Sequence, residues 1–166
     1  IIVHMAAIAG ASYYEKMPFK TLEVNAIGTY NMLKACSDKK IECFLNFATS
    51  EMYGPSVWRA GEEDKTSPGP SSQGRWAYSV SKLAGEHMTM AAGRQFGLPV
   101  ISIRPFNVFG PRQVGEGGIQ AMSDCALKNE EIKVHGDGNQ IRSWIYIDDI
   151  IDGVLAAVET KAAYGQ

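Results

Sequence analysis

The chain has 166 residues, with 16 Lys and Arg against 18 Asp and Glu, a net charge of -2, and 45% hydrophobic residues. That balance, with no basic tract, provides no electrostatic footprint for nucleic acid, and the apolar start is too short and lacks the basic flank of a membrane span or signal peptide. Cys36, Cys43 and Cys125 are scattered without metal-ligand spacing, as expected of reduced thiols in a cytoplasmic protein, and His4, His87 and His135 form no ligand cluster, so no metal site is expected.

In chain order, Ile1 to Ala7 reads as a strand running into small residues, where Ala6, Ala7 and Gly10 would let a ligand approach the backbone. Phe19 to Lys39 reads as a helix with Leu22, Ala26, Tyr30, Leu33 and Cys36 or Ser37 on one face. Glu42 to Ala48 is short and mostly apolar, hence a central strand, and it empties into Thr49, Ser50 and Glu51, so two hydroxyls and a carboxylate arrive together at its end. Gly54 to Gly74, with Pro55, Pro68 and Pro70, reads as one loop of the length that functional lids have. Ser71 or Ser72 then serves as the N-cap region of a helix running to about Gly97, with Ala77, Val80, Ala84, Met88 and Ala91 as its apolar stripe. Leu98 to Arg104 reads as a buried strand, which the prolines and glycine of Pro105 to Arg112 end as a loop. A further helix and a short strand lead to a strand-like stretch, Ile141 to Ile147, and a helix from Asp148 to about Thr160, while the glycine clusters Gly115 to Gly118 and Gly136 to Gly138 read as loops. The order predicts an α/β fold, a doubly wound parallel sheet with part of a smaller substrate-binding region after residue 110. In such sheets, ligands lie where strands end in polar loops.

The segment Tyr78-Ser-Val-Ser-Lys82 carries the chemistry. Positions i and i+4 share a helix face, so the Lys82 ammonium can bias the ionisation of Tyr78. Bringing a phenol from its reference pKa of about 10 to near 7 takes about 4 kcal/mol. A unit charge about 4 Å away in an effective dielectric of about 20 supplies roughly that much. The pair is therefore expected to make a base that works at neutral pH.

The order His4-Met-Ala-Ala7, Asn25 with Gly28-Thr29, Thr49-Ser-Glu-Met-Tyr-Gly54, YxxxK, Arg104-Pro-Phe-Asn-Val-Phe-Gly-Pro111, and Gly136-Asp-Gly-Asn-Gln-Ile-Arg142 with Tyr146-Ile-Asp-Asp149 resembles the extended short-chain dehydrogenases, the NAD-dependent nucleotide-sugar epimerase/dehydratase group. The likeness covers essentially the whole chain. It implies a Rossmann-like fold, with residues 1–110 as the later part of an NAD-binding domain. Residues 111–166 would be a mixed segment, contributing to a substrate-binding region and returning a strand and helix. Tyr78 would be the catalytic base, Lys82 its partner and a holder of the nicotinamide ribose, and Thr49 the hydroxyl sharing the hydrogen bond to the substrate oxygen. Ala6 and Ala7 would line the cofactor groove, Asn25 would stabilise the neighbouring backbone, and Pro105 and Phe106 would border the nicotinamide. Ser50, Asn107, Arg112 and Arg142 would meet the sugar and its diphosphate, to which a guanidinium presents a planar fork of donors.

The implied reaction is NAD-dependent oxidation of a nucleotide-linked sugar to a 4-keto intermediate, with NADP left open. C4 epimerisation, 4,6-dehydration or decarboxylation would follow. Glu51, two residues past Thr49, is similar to the pattern of the 4,6-dehydratases and uronic-acid decarboxylases, whereas Ser50 stands where one dehydratase subgroup has an acid. Arg75 to Lys82 looks like the uronic-acid decarboxylases, and Arg142 to Asp149 like generic epimerases and dehydratases. The resemblance also implies a homodimer through the helix bearing YxxxK. The family's glycine-rich pyrophosphate turn does not precede Ile1, so the chain reads as an internal portion of a longer protein and, by itself, as a poor binder of NAD. The alternative is a non-catalytic relative that binds nucleotide, which has no need of Thr49, Tyr78 and Lys82 together.

Overall fold

Two short apolar runs set the architecture. Phe44–Phe47 (β2) and Val100–Ile103 (β3) pair in parallel, and Ile2–His4 (β1) pairs in parallel on the other side of β2, giving the order β1-β2-β3. The computed structural model describes residues 1–55, 57–115, 117–134 and 136–166. His135, one residue of the long loop (Ser56) and one of the first glycine cluster (Glu116) lie outside the described residues.

Strand side chains alternate between faces, so each strand serves two layers. Phe44 and Val100 meet Leu33, Cys36 and Ala92 from the helices Gly28–Cys36 (α3) and Trp76–Phe96 (α4), which follow the short helices Ala11–Lys16 (α1) and Pro18–Leu22 (α2). Their neighbours Cys43, Leu45 and Ile101 face the opposite way, against Val154, Ala157 and Val158 of Ile147–Glu159 (α5) and against Ala163 and Tyr164. Helices thus cover both faces of a parallel sheet, the doubly wound arrangement expected from the element order. Beyond α5 the chain returns to β3, where Gly165 N–H donates to Val100 O at 2.7 Å and Ser102 N–H to Gln166 O at 2.9 Å.

Several local expectations are corrected. The stretch predicted as one helix from Phe19 divides into a short helix Pro18–Leu22, a π-helical turn Glu23–Ile27 and α3. Its buried face is Thr21, Asn25, Thr29, Leu33 and Cys36, whereas Leu22 and Tyr30 are exposed. Polar residues can occupy that face because each is satisfied: Thr21 Oγ1 donates to Met17 O at 3.0 Å and Thr29 Oγ1 to Asn25 O at 2.7 Å, within the helix, and the Asn25 amide bonds across to Ile8 and Ser81. On α4 the predicted stripe fails at Val80 and Ala91, both exposed, and the buried set is Trp76, Ala77, Ser79, Ser81, Lys82, Gly85, Glu86, Thr89 and Ala92. Small residues let this helix sink between its neighbours: a Cβ on Gly85 would lie 3.2 Å from Thr29 Oγ1, and one on Gly93 would lie 2.6 Å from Val100 Cγ2. Arg75, not a serine, stands at its N-cap.

Within the predicted loop after β3, Asn107–Phe109 forms a strand (β4), paired in parallel with Trp144–Tyr146 (β5), the core of the stretch expected at Ile141 to Ile147. Gly118 belongs to no loop but opens a helix, Gly118–Leu127. Gly136 to Gly138 form a turn, and no strand lies between Leu127 and β5 among the described residues. None of the described helices is long and apolar enough to cross a membrane.

The two glycines on opposite sides of the sheet make opposite predictions. A methyl group added at Gly153 of α5 would have nothing within 4 Å, so Gly153→Ala is expected to stabilise by up to about 1 kcal/mol through helix propensity. Gly93→Ala must displace Val100, a stiff β-branched core residue, and is expected to destabilise by about 1–3 kcal/mol. Urea unfolding midpoints of the two variants check the contrast.

Candidate active site

The C-terminal ends of β2 and β3 are stitched together, and the site is built on that seam. Ala48 N–H donates to Ile103 O at 2.8 Å and Ser50 N–H to Pro105 O at 3.1 Å. Thr49 is extended, and its Oγ1 accepts from Glu51 N–H at 3.3 Å, which starts the 3-10 turn Ser50–Tyr53. Thr49, Ser50 and Glu51 from this turn, Tyr78 from α4, and Pro105, Phe106 and Asn107 from the β3–β4 connection line one cavity of about 350 Å³. Ala9, Gly10, Ala11 and Tyr14 close its remaining side.

A polar network reaches this cavity from below. Asn25 grips the segment after β1 with both ends of its amide: Oδ1 accepts from Ile8 N–H at 2.7 Å and Nδ2 donates to Ile8 O at 3.0 Å. The same Nδ2 donates to Ser81 Oγ at 3.0 Å, and Ser81 Oγ donates to Tyr78 O at 2.7 Å. On the other side of Asn25, the Thr29 hydroxyl spends its proton on Asn25 O, so His4 Nε2 is assigned as donor to Thr29 Oγ1 at 3.0 Å. Burial and the nearby Lys82 charge both lower the His4 pKa, which keeps the ring neutral.

Arg104 braces the elements around the site without lining its cavity. Its guanidinium embraces Glu86 of α4 (Nη2 to Oε1 2.5 Å, Nε to Oε2 3.0 Å) and its Nη1 donates to Tyr53 Oη at 2.8 Å and to Glu62 O at 2.7 Å. Glu86 also accepts from Ser102 Oγ, which accepts from Asn46 Nδ2. One partly buried ion pair thereby joins β2, β3, α4 and the long loop, with its carboxylate fully hydrogen-bonded, as burial of Glu86 requires.

The electrostatics of the pair correct one expectation. Burial, and next the Glu51 carboxylate, raise the Tyr78 pKa, with a hydrogen bond from Thr49 opposing them; Lys82 contributes nothing resolved. The i, i+4 spacing is present, but desolvation acts on both partners: burial lowers Lys82 to about 8. A cation that is itself costly to keep charged cannot alone depress the phenol. Burial also raises the pKa of Glu51, with Arg75 opposing, and its Oε2 is buried with no hydrogen-bond partner among the described residues.

The structure does not gather all the sequence candidates. Ala6 and Ala7 follow β1 but do not line the cavity, and Asn25 and Lys82 lie buried behind it. Asn107 reaches the wall while donating its Nδ2 to Ser143 O at 3.0 Å. Arg112 borders a separate cavity of about 350 Å³ with Phe109, Gln120 and Tyr146, and Arg142 is exposed, donating to Ile141 O at 2.8 Å. Two residues escaped the sequence reading. Tyr14 stacks on Tyr78, and Arg75 acts electrostatically on both Tyr14 and Glu51. Arg75 was detectable as the i-3 neighbour of Tyr78. Tyr14 belongs to a six-residue helix, Ala11–Lys16, too short to show periodicity.

Comparison with known proteins gives a consistent picture. The profile of the NAD dependent epimerase/dehydratase family matches residues 1–166. The chain is 33% identical over 165 residues to a UDP-N-acetyl-alpha-D-glucosaminuronate decarboxylase of Bacillus cytotoxicus, covering 97% of this chain and 50% of that protein. It is 32% identical over 157 residues to a dTDP-D-glucose 4,6-dehydratase of Dictyostelium discoideum, covering 91% of this chain and 36% of that protein. Among solved structures, a UDP-glucuronic acid 4-epimerase from Bacillus cereus in complex with UDP-glucuronic acid and NAD superposes with a TM-score of 0.86 at 32% identity, covering 99% of this chain and 51% of that one. The chain thus spans between about a third and a half of the length of these relatives.

Lys82 yields a pH prediction. In the folded protein its pKa is lowered from 10.5 to about 8, so the folded state holds this proton less tightly than the unfolded chain does. Below pH 8 the full penalty of burying the ammonium is present, and stability is regained as pH rises from about 8 to 10.5. Lys82→Met is therefore expected to stabilise the protein at pH 7, by up to about 3 kcal/mol, with the advantage vanishing above pH 10.5. Urea midpoints of variant and wild type across pH check the sign.

Proposed function

Because the chain belongs to the NAD-dependent epimerase/dehydratase family, we propose that the protein uses NAD to oxidise a hydroxyl of a nucleotide-linked sugar and works through the 4-keto sugar. The observation that carries this reading is the convergence of Thr49, Glu51 and Tyr78 on one cavity, with Lys82 buried one helical turn behind Tyr78.

The residues present fit the cofactor. Lys82 is 6% exposed, yet its ammonium has no hydrogen-bonding partner among the described residues, as suits a donor to a pair of ribose hydroxyls. Ala6, exposed, and Ala7, half-buried, put only small side chains on the segment after β1, and Pro105 and Phe106 supply an apolar wall beside Tyr78. Bound NAD supplies the hydride acceptor and, through its charge, favours the phenolate. NADP is not distinguished by these contacts.

Tyr78 takes the proton of the sugar's 4-hydroxyl as the ketone forms, and Thr49 holds the same oxygen. Before that transfer Tyr78 is the phenolate, and the Lys82 ammonium one helical turn away offsets part of its charge alongside the cofactor, help that the raised resting pKa of Tyr78 makes necessary. Glu51 is a second acid–base group: its orphaned Oε2 and raised pKa suit proton transfer at the neighbouring carbon once the ketone has acidified it. This favours elimination or decarboxylation over simple C4 epimerisation, in keeping with the relatives named as dehydratase and decarboxylase. Ser50 and Asn107 meet the sugar, while Arg112 and Arg142, from the 111–166 segment and outside this cavity, would have to move to bind its diphosphate. The working form is a cytoplasmic homodimer.

Incubation of the intact protein with a panel of nucleotide sugars, read by mass spectrometry, tests this. Loss of water or of carbon dioxide is expected. A product of unchanged mass would overturn the role of Glu51, and inertness toward every sugar would overturn the function. Glu51→Gln is expected to lower that mass-changing reaction by about 10²–10⁴-fold while C4 oxidation persists.

A further inference from the structure

Tyr14 and its neighbour Tyr13 have opposite surroundings: Tyr14 is 6% exposed and lines the cavity, Tyr13 is 58% exposed. The Tyr14 ring lies 5.4 Å from the Tyr78 ring at an interplanar angle of 16°, an offset stack. The short helix that carries it is held at both ends. Gly10, with φ of 99°, accepts from the N–H groups of Tyr13 and Tyr14, and Asn25 fixes Ile8 just before it. At the other end, Met17 N–H donates to Tyr13 O at 2.9 Å, and Gly74 allows the close approach of Glu15 and Pro18.

We propose that Tyr14 is a positioning residue for Tyr78: its ring covers one face of the Tyr78 phenol, holds the hydroxyl toward Thr49 and the cavity, and keeps water from that face. The proposal rests on the reading of Tyr78 as the proton carrier. A phenol has two free torsions, and the helix fixes only its base, through Ser81 and the Tyr78 carbonyl. The stack supplies the missing restraint at the ring. Tyr14 does not compete for the proton: burial and then Glu51 push its pKa up to about 12, with Arg75 opposing and Glu15 and Tyr78 adding to the rise. It therefore acts as a neutral plane beside a titrating one. Lys82 lies buried one helical turn from Tyr78 on α4.

The test compares Tyr14→Phe, which keeps the ring, with Tyr14→Leu, which keeps apolar bulk without a stacking plane, in the intact protein. Tyr14→Phe is expected to keep kcat within about twofold, whereas Tyr14→Leu lowers it about three- to tenfold with KM little changed, the range a stack corresponds to. In protein labelled at tyrosine Cζ, with Tyr78→Phe used for assignment, the Tyr78 resonance is expected to titrate at lower pH in Tyr14→Leu, because water reaches the phenolate. Wild-type kcat and titration in Tyr14→Leu would overturn the proposal, as would a Tyr14→Phe variant as slow as Tyr14→Leu, which would assign the role to the hydroxyl. Should Tyr14→Leu not fold, nuclear Overhauser contacts between the two rings in the wild type decide: their presence supports the clamp and their absence overturns it. If no nucleotide sugar is turned over, the reaction reading fails while the titration and ring contacts still decide the role of Tyr14.

Discussion

Everything at the site depends on one amide. Asn25 occupies the π-helical turn, where the extra residue turns its side chain inward, and its three hydrogen bonds join the segment after β1 to α4. From Ser81 the connection passes to the carbonyl of Tyr78 itself. The backbone that bears the proton carrier is thus fixed to the end of the first strand by a chain of buried, satisfied polar groups. Such a chain is costly to break at any link, because each loss leaves a desolvated donor or acceptor behind. Thr29 and His4 extend it to β1, so strand, turn and helix keep a single register.

Around this frame the protein holds three ionisable groups in unfavourable surroundings. Burial opposes charge on Tyr78, Glu51 and Lys82 alike, and in each it is the largest influence. Stability at those positions is given up, and the Arg104–Glu86 pair shows what the same helix does when charge is meant to be structural: both carboxylate oxygens are paired and the guanidinium reaches Glu86, Tyr53 and Glu62. The contrast between a fully satisfied ion pair and, one turn away on α4, an ammonium with no hydrogen-bonding partner among the described residues separates scaffold from chemistry more sharply than residue type does.

The strands were legible because Phe44 to Phe47 and Val100 to Ile103 are apolar on both faces, and only a doubly covered parallel sheet has use for that. The faces of the helices were not. The sequence reading put Leu22 and Tyr30 inside, whereas the buried positions are Thr21, Asn25 and Thr29, since close helix packing here favours small polar side chains that bond their own backbone. β4 looks like loop in the sequence because Pro105 and Gly110 bracket it, and its partner lies far along the chain at Trp144 to Tyr146. At the site, Thr49, Ser50, Glu51 and Tyr78 could be brought together from strand ends and spacing. Arg112 and Arg142 could not be placed, because their positions depend on connections without regular periodicity, and Tyr14 was hidden in a helix of six residues.

Turnover depends on Tyr78 as the group that carries the substrate proton. The most direct test is the turnover of Tyr78→Phe in the intact protein on whichever nucleotide sugar the wild type converts, measured together with the affinities for NAD and for that sugar. Loss of about 10²–10⁴-fold in turnover, with both affinities kept within a few-fold, is the result the geometry predicts. Turnover within tenfold of the wild type would contradict it.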